Sequence, residues 1–480
     1  MKIFYFSISA NPWQRAALFD SAIESAKNKE NQITFFQSYD WESTSVDLPI
    51  SSYLDYKVAK IQDMRMSQKL RDSNLVLDQY SLIDPKIEFD LDEVDLKIGY
   101  EETIVKTRDS KPCRQHSDKL IQHFAHVHHS AYSQAITFLL LRKPDLIYIF
   151  NGRFYREKAI WRAALKLGIK VIFIERFSPG WEDRYFEFKK PVHNIEYRCS
   201  LMQEYWEKYC QEYGKEKAIE VSTDWFIGRS QGTNQSFTKD QILPFERGSE
   251  VKTLVTFFHS SEDELFTTDL GSSIWNDQIE FIKELSEMIL VNKSIHLIVR
   301  LHPNLRYKSV REIRRWRDFS RTINLSNVTF LMHDSAVKTY DLLQNSDLVL
   351  TFGSTIGVEA SFIKKPSLLV SRAFHELLNV VQVIQGKSDL EVFLTEAVSN
   401  KVLETYAYNT HTYGLFHATA GNKFRNLVRR GDRVQDPSFY FGKYKIGSWK
   451  LISLIRRLEG LVRSTFWTRL DLTCSCPNNM

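Results

Sequence analysis

One rhythm constrains this chain more than any other feature. Short apolar runs rich in Ile, Val, Leu and Phe recur between longer amphipathic stretches: 1–6, 145–150, 171–175, 252–258, 296–301 and 347–352. A continuous apolar run of that length suits a strand buried on both faces, and helices between such strands are the crossovers of a parallel sheet. The plainest βαβ unit is the strand over 145–150, a helix over 155–167 stopped at Gly168, and a strand over 171–175.

The rhythm runs twice. A strand over 1–8, a helix over 12–29, a strand at 33–36 and a long helix over 117–142 lead into that unit. Between 45 and 115 the pattern is irregular and charged, and only a helix at 57–72 is predicted there. Residues 228–250 are rich in Gly, Ser, Thr, Asn and Gln and carry Pro244 and Gly248, the composition of a linker. Strands at 252–258, 295–301, 328–332, 347–352 and 367–370 begin a second round. The expected fold is α/β, two Rossmann-like domains over 1–230 and 250–420, with a basic tail over 421–480. At 480 residues the chain is too long for one ordinary core.

Composition narrows the class. With 43% hydrophobic and 26% charged residues the chain reads as a folded soluble protein, and a net charge of +5 is too mild to argue for nucleic acid. The five cysteines, Cys113, Cys199, Cys210, Cys474 and Cys476, show no paired metal spacing, so a reducing cytoplasmic setting is expected. The apolar start is too short for a signal peptide, and the run over 135–141 falls far below a membrane span.

Two polar loops follow two of the apolar runs. Gly353-Ser354-Thr355-Ile356-Gly357 opens a helix after the run over 347–352. Backbone N–H groups at a helix start, with the helix dipole, favour an anion. Ser354 or Thr355 serving as an ordinary N-cap uses the same helix end, and the two roles are compatible. His302, after the run over 296–301, can donate to a phosphate oxygen, and Pro303 fixes the loop that aims it. Arg300 and Asn304 flank it, Arg300 on the strand and Asn304 able to bond the loop backbone. Together the loops suit a phosphate ester or diphosphate, which points to a nucleotide-linked donor.

Other candidates follow from position. Ser260 and Ser261 lie after the run over 252–258, beside His259 and the acids Glu262, Asp263 and Glu264; they read as a cleft loop near the donor or as a capped, solvated helix start. In the first half Asn151-Gly152-Arg153 ends a strand. Gly152 permits a tight turn, and Arg153 can hold an anionic sugar carboxylate or an acceptor phosphate in bidentate fashion. Glu175 and Asp183 are the candidate catalytic carboxylates, with helix capping as their plain alternative. His123, His126, His128 and His129 lack an acidic partner or a metal-binding pattern, so no metal is expected.

The segments Leu301–Asn304 and Thr351–Ala360, with 257–264 and 151–154, resemble the capsule polysaccharide biosynthesis group over about 145–375. That resemblance implies GT-B-like glycosyltransferases, two Rossmann-like domains facing a central cleft, several of them handling Kdo from a CMP-linked donor. It implies a ribose contact for Glu359, where dipole stabilisation at a helix start is the plain alternative. It also implies a nucleotide-sugar as substrate and no further cofactor, with a glycan or glycolipid as acceptor. A non-hydrolysing nucleotide-sugar 2-epimerase shares the fold but carries a Gly-Gly-Glu-Glu-type run that is missing after the 353–357 loop. A catalytically silent scaffold is the reading from a different class. The basic tail holds a predicted amphipathic helix over 448–466, which either packs back on the domains or rests on an anionic membrane surface.

Overall fold

The computed structural model describes residues 1–8, 12–37, 70, 74–79, 118–153, 155–176, 184–232, 240–261, 272, 274–290, 292, 294–307, 310–430, 438–442 and 444–446, the backbone alone for 12, 37, 79, 118–128, 155, 307, 310–311, 438 and 444–446. Asp183, the acidic run 262–264, the helix predicted at 57–72 and the amphipathic tail over 448–466 lie outside these residues.

Two parallel sheets are formed, and both have the Rossmann strand order. In the first, β1 (Lys2–Ser7), β2 (Gln32–Gln37), β3 (Leu75–Gln79), β4 (Leu146–Phe150) and β5 (Lys170–Arg176) run parallel in the order β3-β2-β1-β4-β5. β6 (Arg184–Phe188) adds antiparallel at the edge. The sequence reading has no strand at 75–79, because Val76 faces solvent there and the run lies inside a charged stretch. Helices α1 (Pro12–Ala26), α2 (Asp118–Arg142) and α3 (Tyr155–Lys166) cover the faces.

The strand β1 shows why a continuous apolar run is needed. Ile3 and Tyr5 point to the α1 side with Phe19 and Phe35, while Phe4 and Phe6 point to the α2–α3 side with Phe138 and Ile160. Both faces are buried, at about 1.5–3 kcal/mol per large side chain. Only β-structure with helices on both sides accommodates that pattern.

Two helices then leave the first sheet, α4 (Ile195–Tyr213) and α5 (Lys215–Ser230). The second sheet holds β7 (Thr253–Phe258), β8 (Ile295–Arg300), β9 (Val328–Leu331), β10 (Leu348–Thr351), β11 (Ser367–Leu369) and β12 (Gln382–Val383). Their order is β12-β11-β10-β7-β8-β9, all parallel. Its helices are α6 (Gln278–Leu290), α7 (Val310–Thr322), α8 (Thr339–Asn345), α9 (Ile356–Phe362) and α10 (Lys387–Thr395). Val255 and Phe257 enter a core with Trp275, Phe281 and Trp316, and Leu254 and Phe258 enter another with Leu342, Val349 and Ile356. Among the described residues the fold is therefore the expected α/β one, two Rossmann-like units.

A helical layer joins the sheets. α11 (Asn400–Thr419) packs with α4 and α5, and one core cluster unites Ile195, Met202, Trp225 and Phe226 with Val358, Leu369, Val380 and Phe416. Phe226 stacks on Phe362 at 4.2 Å. α4 and α5, inside the stretch read as the first domain, thus bury their apolar faces against the second. The chain then returns, and β13 (Asn422–Lys423) pairs antiparallel with β6. Asp20 holds the return by accepting the N–H groups of Arg425 and Asn426. Three short antiparallel strands follow, β14 (Val428–Arg430), β15 (Ser438–Phe441) and β16 (Tyr444–Ile446).

Candidate functional site

In a sheet of this order the crevice lies beyond the carboxyl ends of the strands, where the order reverses. In the second sheet that point falls between β7 and β10. The loops at 259–261, 302–304 and 353–355 all leave from that end.

β8 and β10 are not neighbours, since β7 lies between them. Two inter-strand spacings put them on the order of 10 Å apart. The sequence reading puts the His302 and 353–357 loops on one phosphate group; the β7 loop lies between them. His302 donates its backbone N–H to His259 Nδ1 at 3.2 Å, and the Asn304 N–H donates to His302 Nδ1 at 3.1 Å. With Nδ1 accepting, a neutral His302 ring carries its proton on Nε2, a donor for an anion. His259 is buried and its ring meets Trp316 edge-on at 4.5 Å. Trp316 anchors His259, His259 anchors the His302 backbone, and Asn304 orients the His302 ring. Sequence alone leaves His259 ambiguous, because its contacts come from β8 and α7.

Ser260 and Ser261 are buried. Gln278 clamps Ser260 from both sides, accepting its N–H and donating to its carbonyl, each at 2.9 Å. The β7 loop is held rigid by that clamp.

Arg300 points elsewhere. Its guanidinium donates to the carbonyls of Met332 and Ser335, at 2.8 and 3.3 Å, and so pins the turn after β9. Burial lowers its pKa to about 10, with nearby Asp334 opposing the shift.

The loop after β10 is different in kind. Gly353 has φ +83°, and Thr355 is already helical. The N–H groups of Ile356, Gly357, Val358 and Glu359 fold back onto oxygens of Ser354 and Thr355. The expectation that the helix start leaves outward N–H groups unpartnered is therefore corrected. α9 has seven residues, and its first turn closes on its own cap. It is the N–H groups of Gly353, Ser354 and Thr355 that bond to no described residue. A left-handed glycine followed by helical geometry gathers successive N–H groups into an anion-binding concavity. Gly357 sits beneath, where a Cβ would come within 3.0 Å of Thr351 Oγ1 and 3.1 Å of Ser367 Oγ. Only glycine brings α9 that close to the sheet without displacing those hydroxyls.

Glu359 is buried and engaged. Arg229, from the end of α5, donates through Nε to its Oε1 at 2.7 Å and reaches Thr355 Oγ1 with Nη2 at 3.4 Å. Burial alone would lower the Arg229 pKa, but the Glu359 carboxylate wins and holds it above the ordinary arginine range. Glu359 Oε2 accepts no hydrogen bond among the described residues. No motif in the sequence marks Arg229, because its partners lie more than a hundred residues away.

The first sheet reverses its order between β1 and β4, and the turn after β4 leaves from that end beside the end of β5. Asn151 and Gly152 both have positive φ, +57° and +75°. A Cβ on Gly152 would lie 2.5 Å from Phe173 Cε1. Asn151 Nδ2 donates to Glu175 Oε2, and the Arg176 N–H donates to Glu175 Oε1 at 2.9 Å. Arg176 lies over the Trp13 ring at 4.0 Å. The structure thus brings Asn151, Gly152 and Glu175 into one bonded corner, with half-buried Arg153 beside it. A carboxylate bonded on both oxygens is a poor stand-alone base. The side chains of His123, His126 and His128 are not described; among the described residues no His, Cys, Asp and Glu group is spaced to hold a metal.

No family model matches the chain, and no curated protein does. Solved structures are similar to it at low identity. A Staphylococcus aureus MnaA–UDP co-structure is 11% identical over 87% of this chain and 93% of that one, at a TM-score of 0.31. A Thermosulfurimonas dismutans KpsC, described as a β-Kdo 2,4 transferase, is 12% identical over 55% and 79%, at 0.35. A Neisseria meningitidis UDP-GlcNAc 2-epimerase bound to UDP-GlcNAc is 13% identical over 87% and 97%, at 0.28. With identities this low, the functional reading rests on the chain's own residues. No described helix is long and apolar enough to cross a membrane.

Proposed function

We propose that the chain transfers a sugar from a nucleotide-activated donor, with the donor phosphate over the loop 353–355. The observation that carries this is the N–H concavity at the reversal point of the second sheet, unbonded among the described residues, with the His302 donor on its far side and the Arg229 cation against it. His302 Nε2–H and the loop N–H groups would meet the negative charge that develops on the departing phosphate. Glu359 would accept a ribose hydroxyl through Oε2, and Ser260 and Ser261 would line the donor side. No metal or further cofactor enters this scheme.

In the reaction an acceptor hydroxyl oxygen forms a bond to the anomeric carbon. The bond from that carbon to the donor phosphate oxygen breaks, the nucleotide leaves with the electron pair, and the acceptor proton passes to a base. Asp183 is the remaining candidate for that base, since Glu175 is bonded to Asn151 and Arg176. Among acceptors, a surface polysaccharide or lipid-linked glycan of the capsule kind fits the resemblance, with CMP-Kdo or a similar acidic sugar as donor. Cytoplasmic placement, with the basic C-terminal segment against an anionic membrane face, completes the reading.

The bonded state of Glu175 favours one alternative, a scaffold that binds without turnover. A 2-epimerase is separated by its product, an intact nucleotide-sugar rather than free nucleotide. The test is calorimetric titration of CMP, CDP, UDP and GDP into wild type and His302→Ala. Selective binding of one nucleotide, weakened at least tenfold by the substitution, supports the reading. No binding at millimolar concentration removes it.

A further inference from the structure

A second cationic cluster lies apart from the 353–355 loop, where α4 begins beneath the segment following β11. Arg198, on the first turn of α4, has its guanidinium 4.1 Å from the Phe374 ring centroid and 5.5 Å from that of Phe188. It makes no side-chain hydrogen bond or ion pair among the described residues, and its Nε is buried without a partner. His193, just before the helix, stacks on the same Phe374 at 5.9 Å. Both of its ring nitrogens are buried and bond to nothing described.

Basic side chains crowd around them. Burial first, then Arg153, Arg198 and Lys158, push the His193 pKa down to about 3, and no acid opposes the shift. Burial also lowers the pKa of Arg198, with Tyr413, Glu175 and Cys199 opposing it. Glu175 is the one carboxylate among these, and it already accepts from Asn151 and from the Arg176 N–H. Buried Glu157 stands beside Lys158 on α3. A buried cation unmatched by an anion is costly, and removing it is often neutral or stabilising. Such a group suits a ligand of opposite charge.

We propose that Arg198 and His193, with Arg153 and Lys158 beside them and Phe374 as the roof, bind an oxyanion of the carboxylate or phosphate-monoester class. Phe374 comes from the second Rossmann-like unit and the cations from the first unit and α4, so the pocket straddles both. The planar guanidinium suits the paired oxygens of either group. Neutral His193 offers one N–H donor and no competing charge. The source of the oxyanion, a donor-sugar carboxylate or an acceptor phosphate, rests on the function proposed above; its chemistry does not.

The experiment is calorimetry on the full chain with inorganic phosphate, glucuronate and UDP, each titrated into wild type, Arg198→Met and Arg198→Lys. Phosphate or glucuronate should bind at least tenfold more weakly to R198M and keep most of its affinity for R198K. Loss for phosphate alone identifies an acceptor phosphate as the natural group; loss for glucuronate alone identifies a sugar carboxylate. In anion-free buffer R198M should melt no lower than wild type, whereas a purely structural arginine would lower the Tm. Should R198M fail to fold, His193→Phe keeps the stack on Phe374, removes the donor, and should weaken the anion at least threefold. Phosphate held by the 353–355 loop instead would ignore both substitutions and overturn the assignment. Titrating CMP, CDP and GDP beside UDP separates the two ideas. If none of the four binds while anion binding still needs Arg198, the nucleotide reading falls and the pocket stands; the reverse result removes the pocket alone.

Discussion

At the end of β4 the chain turns through Asn151 and Gly152 and spends its polar groups on itself, Asn151 bonding Glu175 and Arg176 capping the same carboxylate. At the end of β10 it turns through Gly353, and three successive N–H groups are left without a described partner. Both turns need positive φ, and both end strands of a sheet with one and the same order. The first turn is a corner fixed by side chains, and the second is a concavity made of backbone. Two sheets of this topology supply two crevices, and what the strand-end residues bond to decides which one is open to a ligand.

The largest effect is expected where the helical layer meets the open crevice. Arg229→Met leaves Glu359 buried without its ion-pair partner and should cost about 3–5 kcal/mol in denaturant unfolding. Adding Glu359→Leu should recover most of that stability while nucleotide affinity stays low. A double variant no more stable than R229M would mean that the pair serves packing rather than charge.

Acid provides the second test. Burial holds the pKa of His375 down to about 4, against 6.5 in an ordinary histidine. The unfolded chain therefore binds the extra proton as pH falls below 6.5, and stability is lost between about 6.5 and about 4, on the order of 3 kcal/mol. Below that window no more is lost from this group. His375→Phe should flatten this part of an unfolding-against-pH profile; an unchanged slope would assign it to His193 or His417.

The closed corner should respond through stability. Gly152→Ala forces a left-handed side chain onto Phe173 and is expected to cost about 2–3 kcal/mol, read as a fall in Tm. The open crevice should respond through binding. His302→Ala, at a half-buried position where the ring accepts the Asn304 N–H, should shift unfolding by under about 1 kcal/mol while weakening nucleotide at least tenfold. If H302A unfolds as easily as G152A, the two crevices are not different in kind.

The alternation of buried strands and helices was legible in the residues alone, because a side-chain pattern apolar on both faces has few other solutions. It also marked the strand-end loops, since Gly152, Pro303 and Gly353 break the periodicity wherever they stand. Tertiary structure alone decided the partners. His302 and the 353–355 loop read as neighbours along the chain, yet β7 separates them and His259 fills the gap. Glu359 and Arg229 are 130 residues apart and touch, as do Arg198 and Phe374 across 176. The strand β3 went unread because its apolar run is only Leu75-Val76-Leu77, inside an irregular charged stretch. Local pattern fixes what a segment becomes; which segment it meets is settled by long-range packing, which leaves no trace in spacing.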